Sequence, residues 1–558
     1  MVRLTELKLP LNHTEAELPA AIIARLLIKP EALIKFTVFR RGYDSRKKAD
    51  IQLVYTLDVE VAPAHQVYLL KTFRKDIHIT ATPDFAYKFV AQASDFTDDE
   101  SSANSGAHMR GAQRPIVIGF GPCGIFAALL LAQMGLRPII LERGKVVRER
   151  TQDTWGFWRQ RELNTESNVQ FGEGGAGTFS DGKLWTQVKD PLHYGRKVLE
   201  EFVAAGAPDE VLYASKPHIG TFRLVKMVEH MRATIESLGG EFRFQHKVVD
   251  VEIEAGVDGD KRKQIRAVVL ENGSRIVSDH VILAIGHSAR DTFQMLFDRG
   301  VYVEAKPFSI GFRIEHPQSL IDRARFGVSA GNPVLGAADY KLVHHASNGR
   351  AVYSFCMCPG GTVVAATSEA GRVVTNGMSQ YSRNEMNANA GIVVGITPED
   401  YPGHALAGID FQRQWESRAY ELGGGTYDAP AQLVGDFVAG VESTALGSVQ
   451  PSFKPGVKLT DLATALPDYA ITAIREALPT FDKMIPGFFM HDAVLTAVET
   501  RTSSPIRIKR RDDDLQSLNV HGLFPAGEGA GYAGGIMSAA IDGIRVAEAV
   551  AMSMKSGD

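Results

Sequence analysis

Three stretches of this sequence fit the spacing Gly-x-Gly-x-x-Gly, which brings a backbone loop close to the phosphates of a dinucleotide. They are GFGPCG (119–124), GEGGAG (172–177) and GAGYAG (529–534). The glycines of such a loop permit a tight turn, and the helix that follows presents free N–H groups to the anion. Either the chain binds three nucleotides, or one nucleotide is approached by three loops.

The first match has the full context of a dinucleotide-binding unit. A short apolar strand precedes it, and a helix and a second strand follow it. We expect Gly119 to make the turn, Gly121 to approach a pyrophosphate and Gly124 to let the helix pack on the strand. Pro122 suits the first helical turn, where its missing N–H costs nothing.

The second strand ends in an acid, Glu142, which lies 18 residues beyond Gly124. A carboxylate at this place accepts hydrogen bonds from a ribose diol and repels a 2′-phosphate. We also expect Arg143, the next residue, to contact the cofactor. Strand, glycines, helix, strand and acid together distinguish this unit from a glycine-rich turn in another α/β protein.

The last match does not repeat this pattern, because the sequence gives no strand and no acid after its helix. The order of later segments, with a strand ending at Ala284-Ile285-Gly286, the strand LFPAGE and a glycine-started helix, resembles the FAD domain of glutathione-reductase-like flavoproteins. The resemblance implies that the last helix directs its N-terminus at the flavin, where it favours the negative charge of the reduced ring. The FAD contacts it implies in these segments are Val248, Ala284, Gly286, Gly527, Glu528, Gly531, Gly534, Gly535 and Ile536.

The middle match runs into TFSDGKL instead of a helix. It looks like the glycine-rich loop that several of these flavoproteins fold beside the flavin. The contacts expected there are Gly174, Gly175, Thr178, Ser180 and Lys183. All three matches are therefore interpreted as approaches to one FAD, bound without a covalent link.

Longer strings narrow the resemblance. GGAGTFSDGKL, AIGHSARDTF, YSFCMCPGG, NGMS, ETRTSSPIRI and PAGEGAGYAGGI resemble the bacterial FAD-dependent dehydrogenases often labelled NAD(FAD)-utilizing dehydrogenases. The resemblance covers most of the chain, including its N-terminal part. The label describes cofactors by analogy, so function still has to be argued from the site.

The predicted fold class is α/β, with a Rossmann-like FAD-binding domain interrupted by a mixed α+β substrate domain and preceded by a small N-terminal α+β domain. Six apolar residues alternate between 51 and 61, as a half-buried strand of the N-terminal domain requires. The basic stretch 39–48 is interpreted as a solvated turn rather than a nucleic-acid patch. The predicted boundaries are 1–92 for the N-terminal domain, 93–113 for a linker, 114–300 and 491–558 for the FAD-binding domain, and 301–490 for the substrate domain.

Cys356 and Cys358 are the first candidates for catalysis. They could form a redox pair that passes electrons from the flavin to a disulfide, although a C-x-C bridge closes a strained ring. Side chains two apart on a strand point the same way, so simple packing of two buried thiols fits equally.

The other candidates are His287, Arg290 and Arg501. His287 could donate a proton to a substrate, since the ordinary pKa of histidine lies near neutrality. Alternatively, Arg290 pairs with Asp291 and His287 binds only backbone. Arg501 could clamp an anionic substrate or the polar edge of the flavin, or form a structural salt bridge. No metal site is predicted.

The whole-chain totals exclude several classes. A formal charge of −4 over 558 residues gives no reason to expect nucleic acid or a membrane as partner. Three cysteines and the lack of a signal-type start or a membrane-spanning run indicate a cytoplasmic protein. We therefore predict an FAD-dependent oxidoreductase acting on a small molecule, with NADH or NADPH as a transient co-substrate. The alternatives are an FAD-dependent monooxygenase, or a structural FAD with an N-terminal domain that binds RNA or protein.

Overall fold

The computed structural model describes residues 1–96, 114–256 and 262–556. They build three units, named here the N-terminal domain, the parallel-sheet domain and the seven-stranded domain. Of the predicted linker, residues 93–96 form a short 3-10 helix, and residues 97–113 lie outside the described residues.

The N-terminal domain is an antiparallel sheet with two helices. Its elements are β1 (Val2–Pro10), α1 (Glu17–Leu26), β2 (Leu33–Asp44), β3 (Gln52–Val61), α2 (Pro63–Thr72) and β4 (Ile79–Ala81). The strand order is β2-β3-β1-β4. The alternation between 51 and 61 is confirmed, because all six side chains are buried. The five from Leu53 to Val61 share one core with side chains of α1 and α2, whereas Ile51 packs in the core of the seven-stranded domain.

The basic stretch 39–48 runs along the end of β2 into the turn that precedes β3. The outer edge of β2 is paired with the parallel-sheet domain. Arg41 N–H donates to the carbonyl of Tyr213 (2.6 Å), and Ser215 N–H donates to the carbonyl of Arg41 (2.9 Å). This pairing covers a strand edge that would otherwise be free to pair with another chain.

The parallel-sheet domain begins with β5 and contributes most of the helices that surround the first glycine loop. Its first part comprises β5 (Ile116–Ile118), α3 (Pro122–Gln133), β6 (Ile139–Glu142), α4 (Val147–Gln160), α5 (Tyr194–Ala204), α6 (Thr221–Ser237), β7 (Glu241–Phe244), β8 (Val248–Glu254), β9 (Lys263–Leu270), β10 (Arg275–Val277), β11 (Val281–Leu283) and α7 (Arg290–Asp298).

The seven-stranded domain follows in the chain. Its elements, with the short connecting strand β12, are β12 (Val303–Ala305), β13 (Phe308–Pro317), α8 (Gln318–Phe326), β14 (Val343–His345), β15 (Ala351–Cys358), β16 (Gly361–Ala365), β17 (Thr375–Ser379), β18 (Asn387–Ile396), α9 (Ala407–Leu422), β19 (Ala429–Leu433), α10 (Val434–Ala439), β20 (Val457–Leu459), α11 (Asp468–Asp482) and β21 (Val494–Glu499). The strand order of the sheet is β14-β15-β18-β13-β21-β19-β20.

The chain then returns to the parallel-sheet domain. The returning elements are β22 (Ile506–Ile508), β23 (Val520–His521), β24 (Leu523–Pro525) and α12 (Ile536–Ser556). The parallel sheet has the order β24-β11-β5-β6-β7. Val117 and Ile140 pack against the helices on one face, whereas Ile116 and Ile139 join the core on the other face. Burial on both faces explains why these strands are apolar throughout.

The predicted boundary after residue 490 is wrong. β21 is hydrogen-bonded between β13 and β19, so residues 494–499 belong to the seven-stranded sheet and not to the parallel-sheet domain. The sequence VLTAVE suits a buried strand of either domain, and only its long-range pairing decides between them. None of the helices in the described ranges combines the length and apolar character needed to cross a bilayer.

Candidate functional site

A cavity of about 410 Å³ is lined by residues of both the parallel-sheet and the seven-stranded domains. The helices α3 and α12 both begin at its wall, because Gly121, Pro122, Gly535 and Ile536 are among the lining residues. The first N–H groups of a helix have no acceptor inside the helix. Two helix N-termini therefore present donors and positive dipole ends to the same space.

The first glycine loop has the predicted geometry. Gly119 adopts a φ of +95°, a conformation that favours glycine. A Cβ on Gly124 would lie 1.9 Å from the carbonyl oxygen of Gly119, so α3 can pack this close to the loop only with glycine there. Gly121 is the N-cap residue of α3, and Pro122 occupies the first turn of that helix.

Glu142 lines the cavity but is already bonded to the backbone of three loops. Its carboxylate accepts hydrogen bonds from the N–H groups of Phe120 (2.9 Å), Gly144 (2.9 Å) and Gly172 (3.0 Å). A carboxylate offers about four acceptor positions, so one remains for a ribose hydroxyl. Besides the predicted role, Glu142 joins the first glycine loop to the middle one.

Arg143 lies at the edge of the cavity in a cluster of charges. It donates to Glu166 and Asp291, and its guanidinium stacks over Phe171 at 4.0 Å from the ring centroid. Lys247 also pairs with Asp291, at 2.8 Å. Burial would raise the pKa of Asp291, but its bonds to Arg143 and Lys247 outweigh burial and hold the pKa well below its usual range.

Most of the residues predicted to contact FAD line the cavity. Fifteen of them do: Gly119, Gly121, Pro122, Glu142, Arg143, Gly175, Ser180, Lys183, Val248, Ala284, Gly286, Glu528, Gly534, Gly535 and Ile536. All three glycine matches contribute to this lining, so the three loops do meet at one place.

The other five, Gly124, Gly174, Thr178, Gly527 and Gly531, are not among the residues that line the cavity, so their contact with FAD stays a prediction. The position of a Cβ on Gly174 falls against Thr178, that on Gly527 against Cys123, and that on Gly531 against the Ile506 carbonyl. The Thr178 hydroxyl is fully buried and accepts from Arg150.

His287 lines the cavity and is paired with Glu528. Its Nδ1 lies 2.8 Å from a carboxylate oxygen of Glu528. An ionised carboxylate only accepts, so Nδ1 carries the proton of this bond. The other ring nitrogen, Nε2, is buried and has no partner among the described residues. In the neutral ring Nε2 is an acceptor, and His287 can donate from it only as an imidazolium.

Arg290 and Arg501 belong to one buried ion-pair network. Both guanidinium groups bond to Glu416, with Arg290 at 2.7 Å and Arg501 at 3.0 Å. Arg501 also donates to the hydroxyls of Ser288 and Ser368. Burial would raise the pKa of Glu416, but the two arginines outweigh it and hold the pKa far below its usual range.

This network differs from the pairing considered for Arg290 and agrees with the structural salt bridge that was one alternative for Arg501. Arg290 pairs with Glu416 and Glu369 rather than with Asp291, and it is not part of the cavity lining. Arg501 does line the cavity, but each of its guanidinium nitrogens is bonded to Glu416 or to a serine. The network therefore connects α7 of the parallel-sheet domain to α9 of the seven-stranded domain.

The two candidate cysteines differ in position. Cys356 lines the cavity, whereas Cys358 is fully buried behind it and is absent from the described lining. Lys183 also lines the cavity and pairs with Asp181 at 2.9 Å. Burial would lower the pKa of Lys183, but the charge of Asp181 outweighs it and raises the pKa.

Glu499, the last residue of β21, lines the cavity, and its ion pair is formed with Arg313 at 3.3 Å. Burial raises the pKa of Glu499 to about 7, against the opposing charge of Arg313. The site therefore contains a carboxyl group that titrates near neutral pH, which no local sequence signal distinguished from an ordinary strand residue.

Comparison with known proteins gives one close relative. The chain is 45% identical over 549 residues to a protein of Clostridium beijerinckii that is named only as uncharacterized, covering 98% of each chain. Residues 307–502 match the family model "FAD-dependent protein, C-terminal domain-like", and residues 1–60 match "Domain of unknown function (DUF8436)". The first of these matches falls on the seven-stranded domain up to the strand end at Glu499.

Solved structures are more distant. Halogenase PltM is 12% identical, with 80% of this chain and 70% of that chain covered and a TM-score of 0.36. A 3-ketosteroid-delta4-(5alpha)-dehydrogenase from Rhodococcus jostii RHA1 is 12% identical, with 81% and 99% covered and a TM-score of 0.35. CtdE in complex with FAD is 13% identical, with 77% and 82% covered and a TM-score of 0.28. At these TM-scores the likenesses add no argument about function.

Proposed function

This chain belongs to the same protein family as the Clostridium beijerinckii relative and carries a domain of the FAD-dependent type, and we propose that it is an FAD-dependent oxidoreductase. In this proposal, a hydride passes between the flavin and a small organic substrate in the cavity. FAD would supply the hydride-transfer chemistry that amino-acid side chains lack. The protein supplies orientation, electrostatics and proton transfer.

Two observations indicate that the described residues fit a bound FAD. The N-termini of α3 and α12 both open on the cavity, which suits a cofactor with a pyrophosphate at one end and a ring that becomes anionic at the other. In addition, His287 lines the cavity, and its buried Nε2 has no partner among the described residues. The convergence of the two helix N-termini is the observation that carries the proposal.

The residues divide into two groups. Gly119, Gly121 and the remaining acceptor position of Glu142 would hold the ADP half. Gly175 and the first residues of α12 would approach the flavin, where the positive end of the helix stabilises the negative charge of the reduced ring. Arg143 stays engaged in its ion pairs at the edge of the cavity.

Glu499 is the group best suited to move a proton. Its pKa of about 7 allows the carboxyl to be protonated or ionised at neutral pH, and its side chain lies on the cavity wall. Thr375 donates to one of its oxygens at 3.3 Å and Arg313 holds the group in place. His287, the candidate from the sequence, can donate only when both of its ring nitrogens are protonated.

NADH or NADPH remains a predicted co-substrate. The three glycine matches share one cavity, so a nicotinamide would have to approach the flavin from within that cavity rather than from a second nucleotide domain. Substrate identity is not fixed by these residues.

Two glycine variants test the proposal. Gly121→Ala places a methyl group at the cavity wall, where the nearest protein atom is 3.6 Å away, so the fold tolerates it while a bound pyrophosphate does not. We expect FAD to bind about tenfold or more weakly, a loss of about 1.4 kcal/mol or more.

The matched control is Gly156→Ala in α4, a site with no atom within 4 Å of the new Cβ. There we expect unchanged FAD affinity and a gain in stability of about 0.5–1 kcal/mol, because alanine is the better helix former. The measurement is FAD affinity by flavin fluorescence, with apoprotein stability measured beside it. Equal FAD affinities of wild type and Gly121→Ala, or a purified protein that cannot be loaded with FAD, would refute the proposal.

A further inference from the structure

Cys356 and Cys358 end strand β15 at an irregularity in the sheet. The pairing of β15 with β18 skips from Phe355 to Cys358, and Cys356 adopts a φ of +42°, which is uncommon for a residue with a side chain. The Sγ of Cys358 lies 3.3 Å from the carbonyl oxygen of Cys356. The two cysteines therefore meet at the same irregularity of the strand.

The pair is asymmetric with respect to the cavity. Cys356 is partly exposed and forms part of the cavity wall, whereas Cys358 is fully buried behind it. Cys356 is therefore accessible to a molecule in the cavity, whereas Cys358 is shielded from it. This is the arrangement of an attacking thiol and a resolving thiol.

Two cations lie near this pair, and each has a carboxylate partner. Arg313, which pairs with Glu499, donates to the Cys356 carbonyl at 2.9 Å, and Lys183, which pairs with Asp181, also lines the cavity. The hydrogen bond from Cys358, helped by the charges of Lys183 and Arg313, lowers the pKa of Cys356 well below its usual value. The same hydrogen bond with Cys356, together with burial, raises the pKa of Cys358. One thiolate and one thiol are the expected state at neutral pH.

We propose that Cys356 and Cys358 form a dithiol–disulfide pair that exchanges two electrons with the bound flavin. The inference rests on the proposed function, because the flavin is the electron acceptor. In the oxidising direction the Cys356 thiolate and the Cys358 thiol lose two electrons and one proton, and an S–S bond forms between them. Oxidised FAD takes up those two electrons and that proton. The reverse step breaks the S–S bond and restores the thiolate and the thiol.

The spacing affects how readily the pair exchanges electrons. A disulfide across a single intervening residue closes a small, strained ring, and strained disulfides are more easily reduced. Reduced flavin is therefore a sufficient reductant in principle. A small thiol or disulfide that enters the cavity is the class of substrate that the exposed Cys356 would meet.

Reductive titration of the flavin-loaded protein tests the proposal without a substrate. We expect the air-oxidised wild type to take up four electrons per flavin from dithionite under anaerobic conditions, two for the flavin and two for the disulfide. Cys356→Ser and Cys358→Ser should each take up two. Iodoacetamide labelling under denaturing conditions, read by mass spectrometry, should find both cysteines unlabelled in the oxidised wild type and labelled after reduction.

Met357→Leu is the matched control, because Met357 lies between the two cysteines, is buried outside the cavity lining, and its replacement keeps both thiols and a similar side-chain volume. It should keep the count of four electrons. The inference would be overturned if the flavin-loaded wild type takes up only two electrons and if Cys356 and Cys358 are labelled before as well as after reduction. This result needs no serine variant. Failure of the proposed function looks different, since that protein would carry no flavin at all.

Discussion

The buried carboxylate of Glu416 offers the sharpest test of how the two large domains are held together. Its side chain is 0% exposed and those of Arg290 and Arg501 are 1% and 3% exposed. Within the described part of the chain, Glu416 is the carboxylate that hydrogen-bonds with Arg501. Glu416→Gln preserves the shape of the side chain but leaves two buried guanidinium groups with too little negative charge.

The expected cost is about 3–5 kcal/mol, the range for removing one partner of a buried ion pair. Glu369 continues to neutralise part of the charge of Arg290, so most of the loss falls on Arg501. For a domain of this size, about 2–4 °C of melting temperature corresponds to 1 kcal/mol, so the melting temperature should fall by roughly 6–20 °C.

Calorimetry of wild type, Glu416→Gln and Glu421→Gln would measure this effect. Glu421 is on the same helix, but its side chain is 64% exposed and pairs with Arg418 at 3.1 Å. An exposed pair contributes about 0–1 kcal/mol, so the control should melt close to wild type. A loss of less than about 1 kcal/mol in Glu416→Gln would refute the argument that this network holds the domains together.

The pH dependence gives a second check on the same variant. The folded-state pKa of Glu416 is held far below its ordinary value of 4.5. Its contribution to stability is therefore full above pH 4.5 and is lost as the pH falls toward the folded-state pKa. The difference between wild type and Glu416→Gln should narrow below pH 4.5, and a difference that stays constant into acid would contradict the assignment of the charge.

Two further predictions concern the seven-stranded domain. Because the folded state raises the pKa of Glu499 from 4.5 to about 7, it binds a proton that the unfolded chain has lost, so this group makes the wild type less stable as pH rises from 4.5 to 7. The stability of Glu499→Gln, measured by calorimetry, should fall less steeply with pH across that window than the stability of the wild type. Parallel stability curves for the two proteins would exclude the raised pKa of Glu499. Phe312→Ala should cost about 3–5 kcal/mol, since Phe312 is fully buried in β13 against Phe437. Val343→Ala, at the exposed edge strand, is the control and should change stability by about 0.5 kcal/mol or less. Similar losses of stability in Phe312→Ala and Val343→Ala, measured by urea unfolding, would contradict this account.

Features governed by neighbouring residues could be predicted from the sequence. The turn at Gly119 and the close packing at Gly124 follow from local steric rules, and the structure confirms both. The alternation between 51 and 61 depends only on the two-residue period of a strand, which is why that face was predicted correctly.

Features that depend on distant partners could not be predicted. One alternative paired Arg290 with its neighbour Asp291, but the partner Glu416 is 126 residues away in the chain. The sequence does not distinguish a charged residue that will be buried from one that will be solvated. The acid that neutralises the buried residue belongs to another domain and is distant in the chain. The raised pKa of Glu499 has the same origin, since its burial depends on how three segments pack around it.

The glycine matches lie between these two cases. Their spacing identified the loops, and the three loops do meet at one cavity. Spacing did not show which glycines face the cavity and which pack behind it, because that depends on the path of the backbone. Gly531 fits the pattern as well as Gly534, yet it packs against the carbonyl of Ile506.

The placement of β21 has a consequence for synthesis of the protein. A nascent chain emerges from the ribosome with its N-terminal part first. β13 and β19 cannot pair with the strand between them until residues 494–499 have been made, and β24 and α12 follow later still. Both large sheets therefore remain incomplete through most of translation, with strand edges open to other chains. Translation that stops before β21 would release a product that lacks Glu499, Arg501 and the N-terminus of α12 at the cavity. Such a shortened chain would not be partly active but would be a target for chaperones and proteases.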